Sequence, residues 1–527
     1  MILEGAEIPS GEVIETEICI IGAGAAGITM ALELTGAPFR VSIIEAGGFE
    51  YPENGQPNYE GTQTGIEYAD LDACRLRYFG GTTNHWGGYC RSLDPIDFEK
   101  RDWIPHSGWP ITLDDVKAHY PRAAEIIGLN PHLFDGEYWS KAAGMPMLPF
   151  DPKRFHTGAT QIHATRFGEV HRDAVKASPN VTCYLNCSVV DLVIGETEDL
   201  IREVTVVNAA GNRSTFRARH FVLACGGMEN PRMLLNANKV RPNGIGNEHD
   251  NVGRFFMEHR VASPGMILLS DGSTDLGFYR RNTVPSGEYI EGSLHLSEET
   301  IRAERMCNAQ FSLELYDGIR TQGDRSLAAI RDGLKKFISG GGWMRDFNVH
   351  VGNIICDIDY VAGNLARRVT GDTGNLAVWL LKMEVEQVPN PDSRITLTDQ
   401  VDDLGLRRIN LHWATQEIEK HSVVRSMELM GEELGRLGLG RMQIAMEEDP
   451  NVWSRFDTWG FHHAGTTRMS ADPRDGVVDA DCRVHGVGNL YVVGNSVFTT
   501  VGTSNPTFTI TALSVRLAGH LKGLLTA

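Results

Sequence analysis

Three residues near the C-terminus carry the side chains best suited to moving a proton. His462 and His463 lie in Phe461-His-His-Ala-Gly465-Thr-Thr467, and Asn505 follows about forty residues later in Ser504-Asn-Pro-Thr507. An imidazole takes up and releases protons near neutral pH. A carboxamide beside it can hydrogen-bond an oxygen on which negative charge develops. The pair suits deprotonation of a hydroxyl group. If the segment is extended, successive side chains point to opposite faces, so only one of the two histidines can serve the site. Asn505 also fits as the N-cap of the helix that follows it. A two-histidine metal site is disfavoured, because no carboxylate or cysteine lies nearby at ligand spacing, and no metal is expected.

The elements that must position these groups begin at the other end of the chain. Residues 16–21 (TEICII) have the pattern of a buried strand. Gly22-Ala-Gly24-Ala-Ala-Gly27 then opens a helix through about Leu34, and 41–46 (VSIIEA) is a second buried strand. This β-α-β unit has the length of a nucleotide-binding half. Gly22, Gly24 and Gly27 allow a tight turn and close approach of the backbone to a pyrophosphate at the helix N-terminus. Glu45, about twenty residues beyond, is placed to accept hydrogen bonds from a ribose hydroxyl and to repel a 2′-phosphate, which argues against NADP. The motif alone does not separate FAD from NAD.

Further along, 181–194 and 217–224 are strand-like, and 221–237 follows a strand–turn–helix pattern. A strand over NLYVVGNSVF ends at Gly494-Asn495, where close backbone approach to a ligand is expected. Pro506 and Thr507 suit the first turn of a helix whose Leu513, Leu517 and Leu521 share a face. Its N-terminus would stabilise the negative charge of a reduced flavin. A dinucleotide motif at one end and a polar pair at the other therefore predict a flavin enzyme acting on an alcohol. Residues 417–438 are expected to form an amphipathic helix, and the charge run 298–305 a solvated helix face.

The combination of GAGAAG with Glu45, the loop GGTTNHWGG, ACGGMENPRMLL, a strand over EQVPNPDSRITL (386–397), and HHAGTTRM through GTSNPT resembles the glucose-methanol-choline (GMC) oxidoreductase family over nearly the whole chain. The resemblance implies an α/β protein with two domains. A Rossmann-like FAD-binding domain would be assembled from the discontinuous segments 1–100, 180–257 and 455–527. A mixed α+β substrate-binding domain would be built from 101–179 and 258–454. It also implies tightly held FAD and oxidation of a primary or secondary alcohol, with the hydride passing to flavin N5. Catalysis would fall to His462, which takes the hydroxyl proton, and to Asn505, which holds the oxygen. Expected cofactor contacts are Gly22, Gly24, Gly27, Glu45, Gly81, Thr82, Asn84, His85, Val189, Gly226, Gly494, Asn495, Pro506 and Thr507. In the pyranose-oxidase branch a histidine followed by tryptophan in this loop bonds covalently to the flavin, whereas other members hold FAD non-covalently. His85 either forms that bond or lines the isoalloxazine. The Asn-Pro pair resembles sugar oxidases and dehydrogenases, which implies oxidation of a sugar or glycoside secondary alcohol to a ketone. A non-sugar alcohol of natural-product metabolism and a flavin-containing lyase on the same scaffold remain alternatives. Oxygen or a quinone-like acceptor would reoxidise the flavin. Residues 151–182 contain no cysteine, which argues against the iron–sulfur insert of some relatives.

Composition sets outer bounds. A chain of 527 residues allows about two to four domains. With 68 acidic against 49 basic residues the formal charge is −19, which disfavours nucleic acid and anionic membranes as partners. Nine scattered cysteines without a Cys-x-x-Cys fit reduced thiols. Residues 1–15 lack the apolar core of a secretory signal, and no apolar run approaches the roughly 20 residues needed to span a bilayer. A cytoplasmic location is expected.

Overall fold

A computed structural model describes residues 1–195, 197, 199–271, 274–315, 326–327, 329–334, 347–358, 362, 378–446 and 458–526. Its first sheet is built on the strand Val13–Ile21, whose last four residues are fully or almost fully buried. On one side this strand pairs in parallel with Val41–Ile44, then Val181–Leu185, then Ile2–Glu4. On the other it pairs in parallel with Arg213–Leu223. That strand carries the short parallel strand Leu490–Val492 at its C-terminal end and the antiparallel strand Ile201–Asn208 at its start, with Cys187–Ile194 beyond. The parallel centre is apolar and buried, with helices packed beside it. Chief among them are Ala25–Leu34 and Thr507–Thr526, which pack on each other.

Three chain segments remote in sequence thus end their strands along one sheet edge. Ile21, Leu223 and Val492 sit side by side there, and each is followed by glycine-bearing backbone. Ligands of parallel α/β sheets bind at such carboxyl ends.

The second sheet is antiparallel among the described residues. Its order is Gly440–Ile444, Arg260–Leu269, Val378–Val385, Ala309–Leu315, Tyr289–Leu296, Phe155–Ile162 and Tyr89–Cys90. The helix Glu417–Arg436 packs behind it, started by a capping box at Gln416 and Glu419 and buried along Val423, Met427, Met430 and Leu434. A third, three-stranded sheet joins Arg394–Val401, Arg407–Trp413 and Thr62–Gly65. The sheets share segments: Tyr89–Cys90 adds to the second sheet, while residues just before it belong to the glycine-rich loop of the first.

Two strand expectations are corrected. The segment 386–397 is not one strand: a strand ends at Val385 and the next starts at Arg394. Pro389 and Pro391 interrupt it, since proline offers no N–H to a ladder. Residues 181–194 form two strands rather than one, broken at Asn186 in the left-handed region (φ 56°). The helix Glu298–Glu304 is only partly a solvated face, because Thr300 and Ile301 are buried. The helix of 417–438 and the strand–turn–helix of 221–237 are present, the latter helix running from Gly226 to Asn236. No helix among the described residues is long and apolar enough to cross a membrane, and all nine cysteines are free thiols.

Candidate functional site

A cavity of about 500 Å³ runs along the edge where those strands end, from Glu45 at one end to His462 and Asn505 at the other. Its glycine-rich end shows why each glycine is required. Gly22 has φ 103°, and a Cβ there would meet the Ala224 carbonyl oxygen at 2.7 Å. A Cβ on Gly27 would lie 2.0 Å from the Gly22 oxygen, so this residue sets how closely helix and strand pack. A Cβ on Gly24 would meet nothing within 4 Å and would project from the cavity wall. The first helical turn, with its free N–H groups, faces the cavity.

Glu45 is buried. Its carboxylate accepts the N–H of Ala23 (2.8 Å) and of Gly47 (2.9 Å). Burial raises its pKa, and those two N–H groups oppose the rise. Each oxygen keeps a second lone-pair direction for a ligand hydroxyl. Nearby, Arg77 donates from Nη2 to Ser188 Oγ (2.7 Å), and among the described residues no carboxylate pairs with it. Arg75, by contrast, is paired with Glu229 at 2.6 Å. Both arginines line the cavity, and their chemistry suits phosphate or ribose oxygens.

At the far end, His462 and Asn505 converge. Asn505 Nδ2 lies 3.2 Å from His462 Nε2. The hydrogen bond its carboxamide makes among the described residues therefore goes to His462. Asn505 owes its position to a loop held from several sides. Trp109 Nε1 donates to Thr500 Oγ1 (2.8 Å), Arg91 reaches Thr503 and Ser504, and Gln310 Nε2 donates to the Thr503 carbonyl (2.8 Å). Gly502 sits at φ 54° against Asp97, which a Cβ would strike at 2.2 Å. His462 is held by its backbone. Its N–H donates to both oxygens of Glu258 (2.8 and 3.1 Å), and Phe461 before it takes the left-handed φ of 59°. The same carboxylate accepts the N–H of His259 (2.8 Å) and the Tyr68 hydroxyl. Burial raises Glu258 to about 7 against the hydrogen bonds it accepts.

The two adjacent histidines have different environments. His463 Nε2 lies 2.9 Å from the Tyr68 hydroxyl, and burial, with Arg75 nearby, pushes its pKa down to about 3. Its ring is committed to Tyr68. Burial, aided by His259 and His463, holds His462 neutral well below the ordinary histidine range. His462 is therefore a neutral imidazole, with one ring nitrogen unprotonated.

Of the residues named from sequence, Gly22, Gly24, Glu45, Gly81, Thr82, His85, Val189, Gly226, Gly494, Asn495, Asn505, Pro506, Thr507, His462 and His463 line the cavity. Gly27 and Asn84 do not. Asn84 instead bonds the Phe79 carbonyl (2.7 Å) and the Gly168 N–H (3.2 Å), fixing the loop that carries His85. His85 ends a short 3-10 turn with its exposed ring edge-on to Tyr78. Sequence reasoning missed Tyr68, Arg75, Arg77, Glu258, His259 and Glu384. None lies in a glycine-rich or His-rich stretch, and only folding brings them here. Among the described residues no His, Cys, Asp or Glu cluster could hold a metal.

Two family models match the chain: GMC oxidoreductase over residues 389–514 and FAD dependent oxidoreductase over residues 17–243. The C-glycoside 3-oxidase of Microbacterium trichothecenolyticum is 32% identical, over 85% of this chain and 76% of its own. The chain belongs to the GMC oxidoreductase family. It is an FAD-dependent oxidoreductase acting on CH–OH groups. Paromamine 6'-oxidase of Streptomyces fradiae is 23% identical over 96% of this chain and 91% of its own. Pyridoxine 4-oxidase from Mesorbium loti shares the GMC fold with a TM-score of 0.53 at 17% identity, over 96% of this chain and 98% of its own.

The cavity fits FAD. It is long, it opens where Gly24 has no side chain, and it ends on a helix N-terminus and a polar pair. The two glycines give a sharp contrast. Gly24→Leu keeps an allowed backbone (φ −80°) and fills only open space. The variant is expected to fold with normal circular dichroism but to purify colourless. Gly27→Ala forces a backbone clash and is expected to lower the thermal midpoint of the protein itself. A yellow Gly24→Leu protein would mean that the dinucleotide lies elsewhere.

Proposed function

We propose that this protein oxidises a secondary hydroxyl of a sugar or glycoside to a ketone at the His462 end of the cavity. The observation that carries the reading is the 3.2 Å approach of Asn505 Nδ2 to His462 Nε2. A hydroxyl oxygen placed over the pair exchanges that contact for two hydrogen bonds of its own, one to each side chain. His462 Nε2 then accepts the hydroxyl proton. Asn505 donates to the oxygen as negative charge develops on it, where a fixed donor away from bulk water is most effective. Bound FAD supplies the acceptor for the hydride that leaves the carbon. Gly22, Gly24, Glu45, Arg77, Gly226 and Gly494 would hold its dinucleotide, and Gly81 to His85 would border the ring system.

A sugar is favoured over a simple alcohol by a carboxylate in the wall of the same cavity. Glu384, on the strand Val378–Val385, lines the cavity and accepts from Gln310 (2.7 Å). A carboxylate there can take two hydroxyls at once. The names of two relatives, C-glycoside 3-oxidase and paromamine 6'-oxidase, point the same way.

The test is anaerobic: purified yellow protein is mixed with sugars, glycosides and aliphatic alcohols, and loss of the oxidised-flavin absorbance is followed. Fast bleaching by sugars or glycosides, with a keto-sugar recovered, is the expected result. Bleaching by aliphatic alcohols alone would remove the sugar assignment, and substrate turnover without any bleaching would point to lyase chemistry.

A further inference from the structure

One buried histidine beside the site has no part in binding or proton uptake, yet its contacts leave little freedom to its neighbour. His259 precedes the strand Arg260–Leu269 and is 1% exposed. Its ring stands edge-on to that of His462, with centroids 4.9 Å apart and planes at 79°. Its Nε2 lies 2.9 Å from the Gly502 carbonyl oxygen, and its Nδ1 lies 2.7 Å from Nδ1 of His462.

These distances fix where the hydrogens are. A backbone carbonyl only accepts, so Nε2 of His259 carries a hydrogen. In a neutral imidazole the other nitrogen is then an acceptor. Nδ1 of His462 faces that acceptor and must donate to it. Nε2 of His462 is left with its lone pair free, and the group facing it is the Asn505 amide nitrogen, which only donates. One assignment satisfies all four polar atoms. The reverse assignment, with a hydrogen on Nε2 of His462, requires both nitrogens of His259 to donate and so a charged imidazolium at a buried position. Burial works against that charge and lowers the pKa of His259.

We propose that His259 is a positioning residue that locks His462 in the tautomer with its lone pair on Nε2, the Gly502 carbonyl serving as the anchor of the lock. This rests on the reading of His462 as the proton acceptor. The lock also answers a difficulty in that reading, because a histidine held away from water resists the charge it must accept. When Nε2 takes a proton, the Nδ1–H already points at an acceptor, and the new charge is shared with a hydrogen bond in place. The anchor and the oxygen-holding amide belong to one stretch of chain, 502–505. Displacing that loop would therefore disturb the base and the donor together.

The decisive measurement needs no substitution in His259. Long-range proton–nitrogen correlation spectra of the holoenzyme, labelled with nitrogen-15 at histidine, distinguish the two tautomers. His462→Gln locates the signal. Hydrogen on Nδ1 of His462 is the expected result, and hydrogen on Nε2 would overturn the proposal whatever the activity of the His462 variants. Two substitutions test the consequence. His259→Asn keeps an acceptor oxygen near the place of Nδ1, whereas His259→Leu keeps none. The leucine variant is expected to slow the limiting rate of anaerobic flavin reduction by about 10²-fold, within the range of general-base assistance, with apparent substrate affinity unchanged. The asparagine variant is expected to recover most of that loss. Equal losses in both, or a loss in neither, would leave His259 as packing only. Should the leucine variant fail to retain FAD, the tautomer of the unsubstituted holoenzyme decides alone.

Discussion

His462→Ala is expected to give a protein that purifies yellow and binds substrate but is bleached by it about 10²- to 10⁴-fold more slowly, the range that a positioned general base contributes. The cofactor should stay because His462 touches only one end of the cavity, while the dinucleotide end is built from backbone at Gly22 and Gly24 and the carboxylate of Glu45. The fold should stay as well. The Glu258 carboxylate accepts the backbone N–H of residue 462, which alanine retains. Bleaching at the unsubstituted rate would show that the proton leaves by another route. A second measurement sharpens the first: the deficit should appear in the limiting rate at saturating substrate, since the base acts after binding.

Asn505→Ala should cost about 10²- to 10³-fold in the same limiting rate, the usual loss when one preorganised donor to a developing oxyanion is removed. Asn505→Asp is expected to fall further. A carboxylate at that place offers only acceptors, so it draws a hydrogen onto Nε2 of His462 and removes the lone pair that must take the substrate proton. It also puts negative charge beside an oxygen that becomes negative. The ordering Asn, then Ala, then Asp separates an electrostatic role from simple space filling, which would place Asp close to Asn because the two side chains have the same shape. Activity of the Asp variant at or above that of the Ala variant would refute the donor role.

Both effects depend on a geometry whose parts differed in how well they could be read beforehand. The dinucleotide half was legible because its signal is local. A strand, three glycines at fixed spacing and an acid at the next strand end lie within about thirty residues, and Gly22 and Gly27 have a steric reason in the backbone around them. Interleaving of the three sheets was harder, since residues 62–65 and 89–90 pair with strands that follow far along the chain. The segment 386–397 was expected as one strand from the family resemblance, while two prolines deny its first half the ladder. Glu258, His259 and Tyr68 gave no signal at all. Nothing in Met257-Glu-His-Arg260 separates it from the start of any strand, and its role exists only because the strand begins beside the 460–463 loop.

What the sequence determined alone was therefore the kinds of group available and the backbone freedom around a dinucleotide: an imidazole, a carboxamide before a helix, and glycines where a side chain would collide. These follow from short-range sterics and chemistry. Which histidine of the pair meets Asn505, which nitrogen of it is free, and what holds it neutral were decided by the tertiary structure. Those properties depend on acceptors contributed from about two hundred positions away, such as Glu258 and His259. A hydrogen-bond direction is a property of a meeting between two groups, and the chain reaches that meeting only when it folds.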